Sequence, residues 1–238
     1  MDATPAPRRR VAVLLAGGTG TRTGLDRPKQ LVEVAGRTLL EHALRALHDH
    51  PDVDEVLVVM APDHLDAARA VAAGYAKVTA VLAGGETRTA STLAALAHLG
   101  DTDCLLLLHD AARPLLPARV VSDCLAALAG HGAVATVIPS TDTVFEVGPD
   151  GTISGVPARE GLRRAQTPQG FHADVLRRAY AAAATDPGFV ATDDCSVVHR
   201  YLPDVPVAVV DGDEALLKVT SRLDLVVVEE LLRRRGGG

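Results

Sequence analysis

The sequence predicts an α/β fold in which a doubly wound, mostly parallel sheet carries a protruding β-arm. Short apolar runs alternate with helical patterns along most of the chain, which is typical of repeated βαβ units. The runs are continuously apolar, as expected of strands whose two faces are both covered by helices. With 47% hydrophobic but only 3% aromatic residues, the core is built from alanine, valine and leucine, which suits helices packed closely on a sheet. A chain of 238 residues is long enough for one large domain of this kind.

Each element has its own signal in the chain. The apolar runs predict strands at residues 11–16, 55–60, 77–82, 104–109, 133–138 and 207–210. The helical patterns predict helices near residues 38–48, 64–73, 89–99, 117–129 and 172–184. Thr38 and Glu41 form a capping box for the first of these helices, and Pro117 suits the first turn of the fourth. Thr192 is expected to cap one further helix and Ser221 the last one.

The alternation stops between Pro139 and Gln166. Short alternating segments and turns in this stretch predict a hairpin-like arm, and an excursion of this length within a compact domain is usually functional or serves oligomerisation. We therefore expect one domain over residues 9–234, which includes the arm at about 139–166, preceded by a disordered tail at residues 1–8.

Composition and charge exclude several classes of function. A formal net charge of −6 argues against a nucleic-acid partner. The apolar runs fall well short of the roughly 20 residues that a membrane span needs, so no membrane partner is expected. Cys104, Cys124 and Cys195 lie far apart and form no C-x-x-C pair. This spacing argues against a zinc site or a disulfide framework and favours a reducing cytoplasm.

A glycine-rich turn, LLAGGTGTRTG at residues 14–24, follows the first predicted strand. Its spacing fits neither common phosphate motif. The dinucleotide fingerprint would need glycine where Thr23 stands, so the sequence argues against the function of an NAD-dependent dehydrogenase. A P-loop would need lysine after Gly24. The turn instead carries Arg22, and Lys29 follows shortly afterwards. Backbone N–H groups freed by glycine, together with two cations, are what a polyphosphate requires.

Two further loops follow predicted strands, AGGETRTAS at residues 83–91 and HDAARP at residues 109–114. Because the strands of such a sheet end at the same edge, where its ligands bind, the three loops should lie together. The second loop can read the edge of a base through its backbone while Ser91 begins a helix, although a glycine pair before a helix is also ordinary turn chemistry. In the third loop, Asp110 can hold a hydroxyl group or Mg²⁺, or form only a structural pair with Arg113.

Taken in order, the motifs LAGGTGTRTG, PKQ, GGETRTAS, HDAARP, QTPQGF, TDDCS and KVTSRLDL resemble the 2-C-methyl-D-erythritol 4-phosphate cytidylyltransferase family. The resemblance covers residues from about 11 to 232. It implies a nucleotidyltransferase-like variant of the Rossmann fold. It also implies transfer of CMP from CTP to a sugar-alcohol phosphate, with release of pyrophosphate in the presence of Mg²⁺, as part of the non-mevalonate isoprenoid pathway.

The resemblance further implies roles for individual residues. Those expected at the nucleotide are Ala16, Gly17, Gly18, Gly20, Gly85, Glu86 and Ser91. Those expected to bind the triphosphate and to stabilise charge at the α-phosphorus are Arg22, Lys29 and Lys218. Those expected at the polyol phosphate are Asp110, Arg113, Thr143, Arg159 and Thr192. Thr143 and Arg159 would reach the site from the arm of a neighbouring subunit in a homodimer. Asp110 would contact Mg²⁺ either directly or only through the phosphates.

The sequence is also compatible with two other functions. A cytidylyltransferase for another polyol phosphate, such as ribitol 5-phosphate, would share LAGG, PKQ and QTPQ, although HDAARP and REGLRRAQTPQGF favour the methylerythritol enzymes. A non-catalytic nucleotide-sensing domain would keep the glycine-rich turn without turnover. The joint presence of the arginine of the turn, two lysines and Asp110 argues against it, since a mere binder can lose one of them without harm.

Overall fold

The computed structural model of the chain describes residues 8–18, 28–186 and 188–236. The predicted site residues Gly20 and Arg22 lie outside these ranges, as does most of the tail predicted for residues 1–8. Arg8, the last residue of that tail, is described, and its guanidinium donates a hydrogen bond to the Asp103 carboxylate at 2.9 Å.

A seven-stranded sheet forms the centre of the described chain. In sheet order, its strands are β11 (Val207–Asp211), β7 (Ala133–Pro139), β10 (Arg163–His172), β6 (Cys104–Asp110), β1 (Arg9–Ala16), β4 (Glu55–Met60) and β5 (Val78–Ala83). Strand β10 is antiparallel to both of its neighbours, and the other strands are parallel. The predicted strands are all present, with bounds that agree within about two residues. The prediction of a mostly parallel α/β sheet is confirmed.

Helices cover both faces of this sheet. They are α1 (Leu39–His48), α2 (Leu65–Ala72), α3 (Arg88–Leu99), α4 (Ala118–Ala127), α5 (Ala173–Ala183), α6 (Asp194–Tyr201) and α7 (Arg222–Gly236). Along β1, Val11 and Val13 belong to the core shared with α3, α5 and α6, while Ala12 and Leu14 belong to the core shared with α1, α2 and α4. Successive side chains of a strand point to opposite faces, so β1 is apolar throughout because both faces are covered. The sheet is doubly wound, as predicted.

None of the helices in the described part of the chain combines the length and the apolar character that crossing a membrane requires.

The helix ends test the predicted caps. Thr38 caps α1 as predicted, since its hydroxyl accepts a hydrogen bond from the Glu41 N–H at 3.1 Å, while the Glu41 carboxylate contacts Arg37 instead of completing the capping box. Ser221 caps α7 as predicted and accepts a hydrogen bond from Asp224 N–H at 3.2 Å. The cap predicted for α6 is wrong by one residue.

Asp193, not Thr192, caps α6. The Asp193 carboxylate accepts a hydrogen bond from Ser196 N–H at 2.6 Å, and the Ser196 hydroxyl contacts Asp193 N–H in return. Aspartate and threonine are both good caps, so their adjacency in the sequence left the first residue of the helix ambiguous. Thr192 is exposed, and its hydroxyl lies 3.3 Å from that of Ser196.

Strand β10 was not predicted, and it corrects the end of the arm. Residues 163–166, assigned to the arm from the sequence, pair with β7 in the central sheet. The segment RRAQTPQGFH lacks an apolar run, and Pro168 in its middle argues against a central strand because proline cannot donate to the ladder. The sheet accommodates the proline through a shift of register between Gln166 and Gln169.

The arm leaves the sheet after β7 and returns at β10. Its two short strands, β8 (Glu146–Val147) and β9 (Ile153–Gly155), pair antiparallel in a separate two-stranded sheet. Most residues from 140 to 162 are exposed. A second small hairpin is formed by β2 (Glu33–Val34) and β3 (Arg37–Thr38), which follow the glycine-rich turn in the sequence. This hairpin packs against α7.

Candidate active site

The loops after β1 and β5 meet at the first turn of α3. A Cβ atom on Gly17 would lie 3.0 Å from the Ser91 hydroxyl oxygen, and one on Gly84 would lie 2.8 Å from the same oxygen. A Cβ on Gly85 would overlap the Cβ of Ala90. Glycine therefore lets the two loops approach α3 closely, and the fit is tightest at Gly85.

Ser91 lies within α3 and does not begin it, which corrects the prediction for this residue. The cap is Thr87, whose hydroxyl accepts a hydrogen bond from Ala90 N–H at 3.0 Å. Ser91 is buried in the first turn. Residues 87 and 91 both carry a hydroxyl group, and the earlier one, Thr87, caps α3. Of the other residues predicted at the nucleotide, Ala16 is buried at the end of β1 and Glu86 is exposed.

A short 3-10 turn at Lys29–Leu31 connects the glycine-rich turn to a distant segment of the chain. The Gln30 amide donates a hydrogen bond to the Gly18 carbonyl at 3.0 Å. The Lys29 ammonium is buried and donates a hydrogen bond to the Val219 carbonyl at 2.8 Å. Because Val219 follows Lys218 directly, the two predicted catalytic lysines lie in one region.

Asp110 stands at the end of β6 and is surrounded by cations. One carboxylate oxygen, Oδ1, accepts a hydrogen bond from Arg88 Nη1 at 2.6 Å. The other, Oδ2, lies 2.9 Å from Lys218 Nζ and 3.7 Å from Arg113 Nε. The carboxylate is almost completely buried, so these interactions occur in a low-dielectric environment where charges act strongly.

The pKa values follow from this cluster. Burial alone would raise the pKa of Asp110, but attraction to Arg88 and then to Lys218 outweighs it and holds the pKa well below its usual range. Burial likewise works against the charged form of Arg88, while Asp194 and Asp110 attract it, and the net effect raises its pKa above the usual value. Both groups are therefore charged at neutral pH.

Arg113 is mainly engaged with the backbone. Its Nη1 donates a hydrogen bond to the Leu216 carbonyl at 2.8 Å and its Nη2 to the Ala165 carbonyl at 3.3 Å. In the same region Val219 N–H donates a hydrogen bond to the Ala112 carbonyl at 2.8 Å. The HDAARP loop thus holds the segment that carries Lys218 against the end of β6.

His109, the residue before Asp110, is fully buried and also stabilises the HDAARP loop. Its Nε2 lies 3.0 Å from the Arg113 carbonyl, and its Nδ1 lies 3.0 Å from the Thr167 hydroxyl. A carbonyl only accepts, so Nε2 carries the proton and Nδ1 accepts from Thr167. The Thr167 hydroxyl in turn accepts a hydrogen bond from Asp110 N–H at 3.1 Å. This chain of contacts fixes the backbone at Asp110.

Asp194 is the second carboxylate of the cluster and is fully buried at the start of α6. Its Oδ2 accepts a hydrogen bond from Arg88 Nε at 2.7 Å. Its Oδ1 accepts from the Thr92 hydroxyl at 2.8 Å and from the Tyr180 hydroxyl at 2.7 Å. Arg88 and Asp194 are functional candidates that the sequence analysis did not assign. Arg88 stands in the quoted GGETRTAS motif and Asp194 in TDDCS, but neither pattern reveals that the two segments meet.

The predicted site residues thus fall into two groups. The structure brings Lys29, Lys218, Asp110 and Arg113 together, and α3 connects them to the glycine loops because it carries both Arg88 and Ser91. Thr143 and Arg159 lie instead on the exposed arm, where Arg159 Nη1 donates a hydrogen bond to the Thr141 carbonyl at 3.3 Å.

The residues that the structure describes do not form a cage for Mg²⁺. Among residues 8–18, 28–186 and 188–236, no three histidine, cysteine, aspartate or glutamate side chains are grouped so that they could hold a metal ion. Asp110 offers the only carboxylate predicted for this role, and its two oxygens already contact Arg88, Lys218 and Arg113. A cation bound directly to Asp110 would have to displace one of these charged groups.

Comparisons with known proteins identify the family to which the chain belongs. A sequence model of the family described as "IspD: 2-C-methyl-D-erythritol 4-phosphate cytidylyltransferase" matches residues 10–234. The chain belongs to this family. It is therefore an enzyme of the cytidylyltransferase, or nucleotidyltransferase, class, as the motifs predicted.

Individual members of the IspD family are similar over most of their length. The chain is 52% identical to a 2-C-methyl-D-erythritol 4-phosphate cytidylyltransferase of Thermobifida fusca, over 96% of each chain. A crystal structure of 4-diphosphocytidyl-2C-methyl-D-erythritol synthase from Anaerococcus prevotii has a TM-score of 0.84 and 28% identity, covering 95% of this chain and 99% of that one. The fold class is that of solved IspD structures.

A third relative bears on the alternative function. The chain is 36% identical to a bifunctional ribulose 5-phosphate reductase/CDP-ribitol pyrophosphorylase of Haemophilus influenzae. The match covers 95% of this chain but 49% of that protein. It is less similar than the Thermobifida protein in both identity and coverage.

Proposed function

We propose that this cytidylyltransferase transfers CMP from CTP to 2-C-methyl-D-erythritol 4-phosphate and releases pyrophosphate, at the edge of the sheet where the glycine loops meet the cation cluster. The observation that carries the proposal is the placement of two lysines in one region: Lys218 contacts Asp110, and Lys29 binds the carbonyl of the next residue, Val219. Placing cations within a partly buried site is what binding two phosphate compounds requires.

The chemistry is an attack of one phosphate on another. An oxygen of the acceptor's phosphate forms a bond to the α-phosphorus of CTP, while the bond from that phosphorus to the pyrophosphate oxygen breaks and the leaving group takes the electron pair. At an effective dielectric constant near 20, each pair of unit negative charges about 4 Å apart repels by about 4 kcal/mol. The cations must offset this repulsion before the attack. The attacking oxygen is already ionised at neutral pH, so no general base is needed.

Each residue has a defined task in this proposal. Lys218 and Lys29 bind the triphosphate and stabilise the charge that develops as pyrophosphate leaves. Asp110 holds Lys218 in place and, with Arg113, faces the acceptor. Thr192 is assigned to the acceptor as well. The backbone around Gly17, Gly18 and Gly85, with Ala16, Glu86 and Ser91, contacts the nucleotide. Roles for Gly20 and Arg22 remain predictions outside the described residues.

We propose Mg²⁺ as the divalent cation that accompanies CTP. Since both oxygens of Asp110 already contact cationic neighbours, Mg²⁺ would be held mainly through phosphate oxygens of the nucleotide, as is common for this ion. The charged neighbours of Asp110 support indirect contact, one of the two possibilities that the sequence leaves open.

The arm supports a homodimer. Its exposed apolar side chains are Val144, Phe145, Val147, Ile153 and Val156. Such a set on one excursion is typical of a surface that binds another protein. In the dimer, Thr143 and Arg159 of the partner subunit would reach the acceptor phosphate. The three cysteines are buried and free, which supports a cytoplasmic location.

Pyrophosphate release tests the reaction. Purified protein with Mg²⁺ and CTP is assayed with methylerythritol 4-phosphate, with ribitol 5-phosphate and without acceptor. We expect release with methylerythritol 4-phosphate only. A preference for ribitol 5-phosphate would establish the second candidate function, which the Haemophilus relative favours. No release with either acceptor would support the nucleotide-sensing domain.

A matched lysine variant tests the site. Lys29→Ala and Lys218→Ala should each lower kcat by about 100-fold or more, the usual cost of losing one electrostatic stabiliser. Lys77→Ala is the control, because the Lys77 ammonium also donates to a backbone carbonyl, that of His50 at 2.7 Å, but lies far from the cluster in the fold. Equal activity of all three variants would refute the assignment.

Mixing inactive variants tests the arm. Arg159→Ala and Lys218→Ala proteins should each be inactive alone, but a mixed dimer contains one site with an intact lysine and an intact arm from its partner. After subunit exchange in a 1:1 mixture, activity should return to about one quarter of all sites. No recovery, with exchange verified by mass spectrometry, would show that the arm does not act across subunits.

A further inference from the structure

Arg88 connects two buried carboxylates that come from different parts of the fold. Its Nη1 contacts Asp110 at the end of β6, and its Nε contacts Asp194 at the start of α6, at 2.6 Å and 2.7 Å. Arg88 itself is the first residue of α3. The guanidinium therefore joins β6, α3 and α6 at the edge of the sheet that carries the site.

Asp194 is fixed independently of Asp110. It is fully buried, and the hydroxyls of Thr92 and Tyr180 both donate to its Oδ1. Its backbone N–H donates a hydrogen bond to the Gln169 side chain at 3.1 Å. With all these partners in place, Asp194 offers Arg88 a rigid point of attachment.

The attachment reaches Lys218 through Asp110. Arg88 occupies Oδ1 of Asp110, which leaves Oδ2 to face Lys218 Nζ at 2.9 Å. The Lys218 side chain is 40% exposed, so it is not fixed by burial. Lysine has a flexible four-carbon stem, and its ammonium stays in one place only if a partner of fixed orientation holds it.

Two of the three guanidinium nitrogens of Arg88 contact the carboxylates. Its third nitrogen, Nη2, is buried without a hydrogen-bond partner among the described residues. Leaving a buried donor unsatisfied is unfavourable. The guanidinium is thus held by the two carboxylates through Nη1 and Nε alone.

We propose that Arg88 and Asp194 form a positioning pair for Lys218, acting through Asp110. Neither residue touches the substrates in this role. A planar guanidinium spans two carboxylates with two different nitrogens, which the single ammonium of lysine does not reproduce. The inference rests on the proposed function, because it requires Lys218 to act on the triphosphate.

The test compares Arg88→Lys with a matched arginine elsewhere. Arg88→Lys should lower kcat of the folded enzyme by about 10- to 100-fold, the cost expected of a small misplacement of a catalytic group. The KM for CTP should stay within about twofold, because the loss concerns charge that develops in the transition state. Arg10→Lys is the control: Arg10 also joins two carboxylates, those of Asp52 and Asp54, but at the opposite end of β1. Its kcat should be unchanged.

A double variant separates positioning from general support of the fold. If Arg88 acts through Lys218, Arg88→Lys should cost less than about threefold in kcat once Lys218 is already alanine, since residues that act as a unit are not additive. Asp194→Asn, which keeps the shape of the side chain, is measured in the wild-type enzyme and in Lys218→Ala. Its effects on kcat in these two backgrounds should be similar to those of Arg88→Lys. It also serves if Arg88→Lys does not fold.

The outcomes distinguish this inference from the function on which it rests. Full kcat in folded Arg88→Lys and Asp194→Asn, with Lys218→Ala still impaired, overturns the positioning pair alone. So does a loss that is the same in both backgrounds. A silent wild-type enzyme, or a fully active Lys218→Ala variant, overturns the proposed function together with the inference.

Discussion

The buried imidazole of His109 makes the stability of the protein depend on pH in a defined window. Burial lowers the pKa of His109 from 6.5 to about 4, and the attraction of neighbouring groups does not compensate. The substitution that removes this effect is His109→Gln. A glutamine side chain does not titrate, but its amide can still donate to the Arg113 carbonyl and accept from the Thr167 hydroxyl.

The sign and the size of the effect follow from the two pKa values. Between pH 6.5 and pH 4, the unfolded chain binds a proton at this histidine and the folded protein does not. The free energy of unfolding therefore falls as the pH falls through this window, and it is unaffected above it. At one pKa unit per roughly 1.4 kcal/mol, the loss amounts to about 3 kcal/mol at pH 4 and about 2 kcal/mol at pH 5.

Urea unfolding of both proteins at about pH 7.5 and pH 5 measures the difference. The wild-type protein should lose about 2 kcal/mol more than His109→Gln over this interval. His42, whose pKa is also lowered by burial, is present in both proteins and cancels. Asp110 does not contribute, because its pKa lies well below the window. An equal loss in the two proteins would refute the argument from burial.

Two further predictions concern the site. Asp110→Asn removes the buried negative charge that lies among three cations. It should lower the free energy of unfolding by about 3–5 kcal/mol, measured by thermal unfolding. Asp123→Asn, which breaks an exposed ion pair, is the control and should lower it by less than about 1 kcal/mol. Similar melting temperatures for the two would contradict the role of burial. Gly85→Ala places a Cβ against that of Ala90 and should raise the KM for CTP by about tenfold. Gly74→Ala is the control, because its added Cβ would meet nothing within 4 Å, and its KM for CTP should be unchanged. An unchanged KM in Gly85→Ala would show that this loop does not contact the nucleotide.

The sheet could be predicted because its parallel strands are apolar on both faces. In β4 every residue is buried, and the sequence after Glu55 is a continuous run of valine, leucine and methionine. Strand β10 leaves no such run. Its outer part, from Arg163 to Ala165, is exposed, and Pro168 interrupts the rest, so only the completed sheet shows where it pairs.

The site was predictable to the extent that its residues lie in continuous motifs. Asp110 and Lys218 stand in HDAARP and KVT, and the structure places them in contact. The role of Arg88 was not accessible in this way. Its partner Asp194 is 106 residues away, and no pattern within either segment encodes a contact made only when α3 and α6 pack on the same face.

The hydrogen bond from Lys29 to Val219 also has a consequence for the order in which the protein folds. It joins residues that are 190 positions apart, and the contact between Arg113 and Leu216 spans 103. Contacts of such separation follow the formation of local helices, because the entropy of closing the long loop must be overcome first. In refolding, pyrophosphate release should therefore recover after the helical signal. In a folding intermediate whose central strands have formed but whose C-terminal segment has not yet docked, Lys218 is missing from its place beside Asp110. Enzymatic activity should therefore appear only at the last stage of folding.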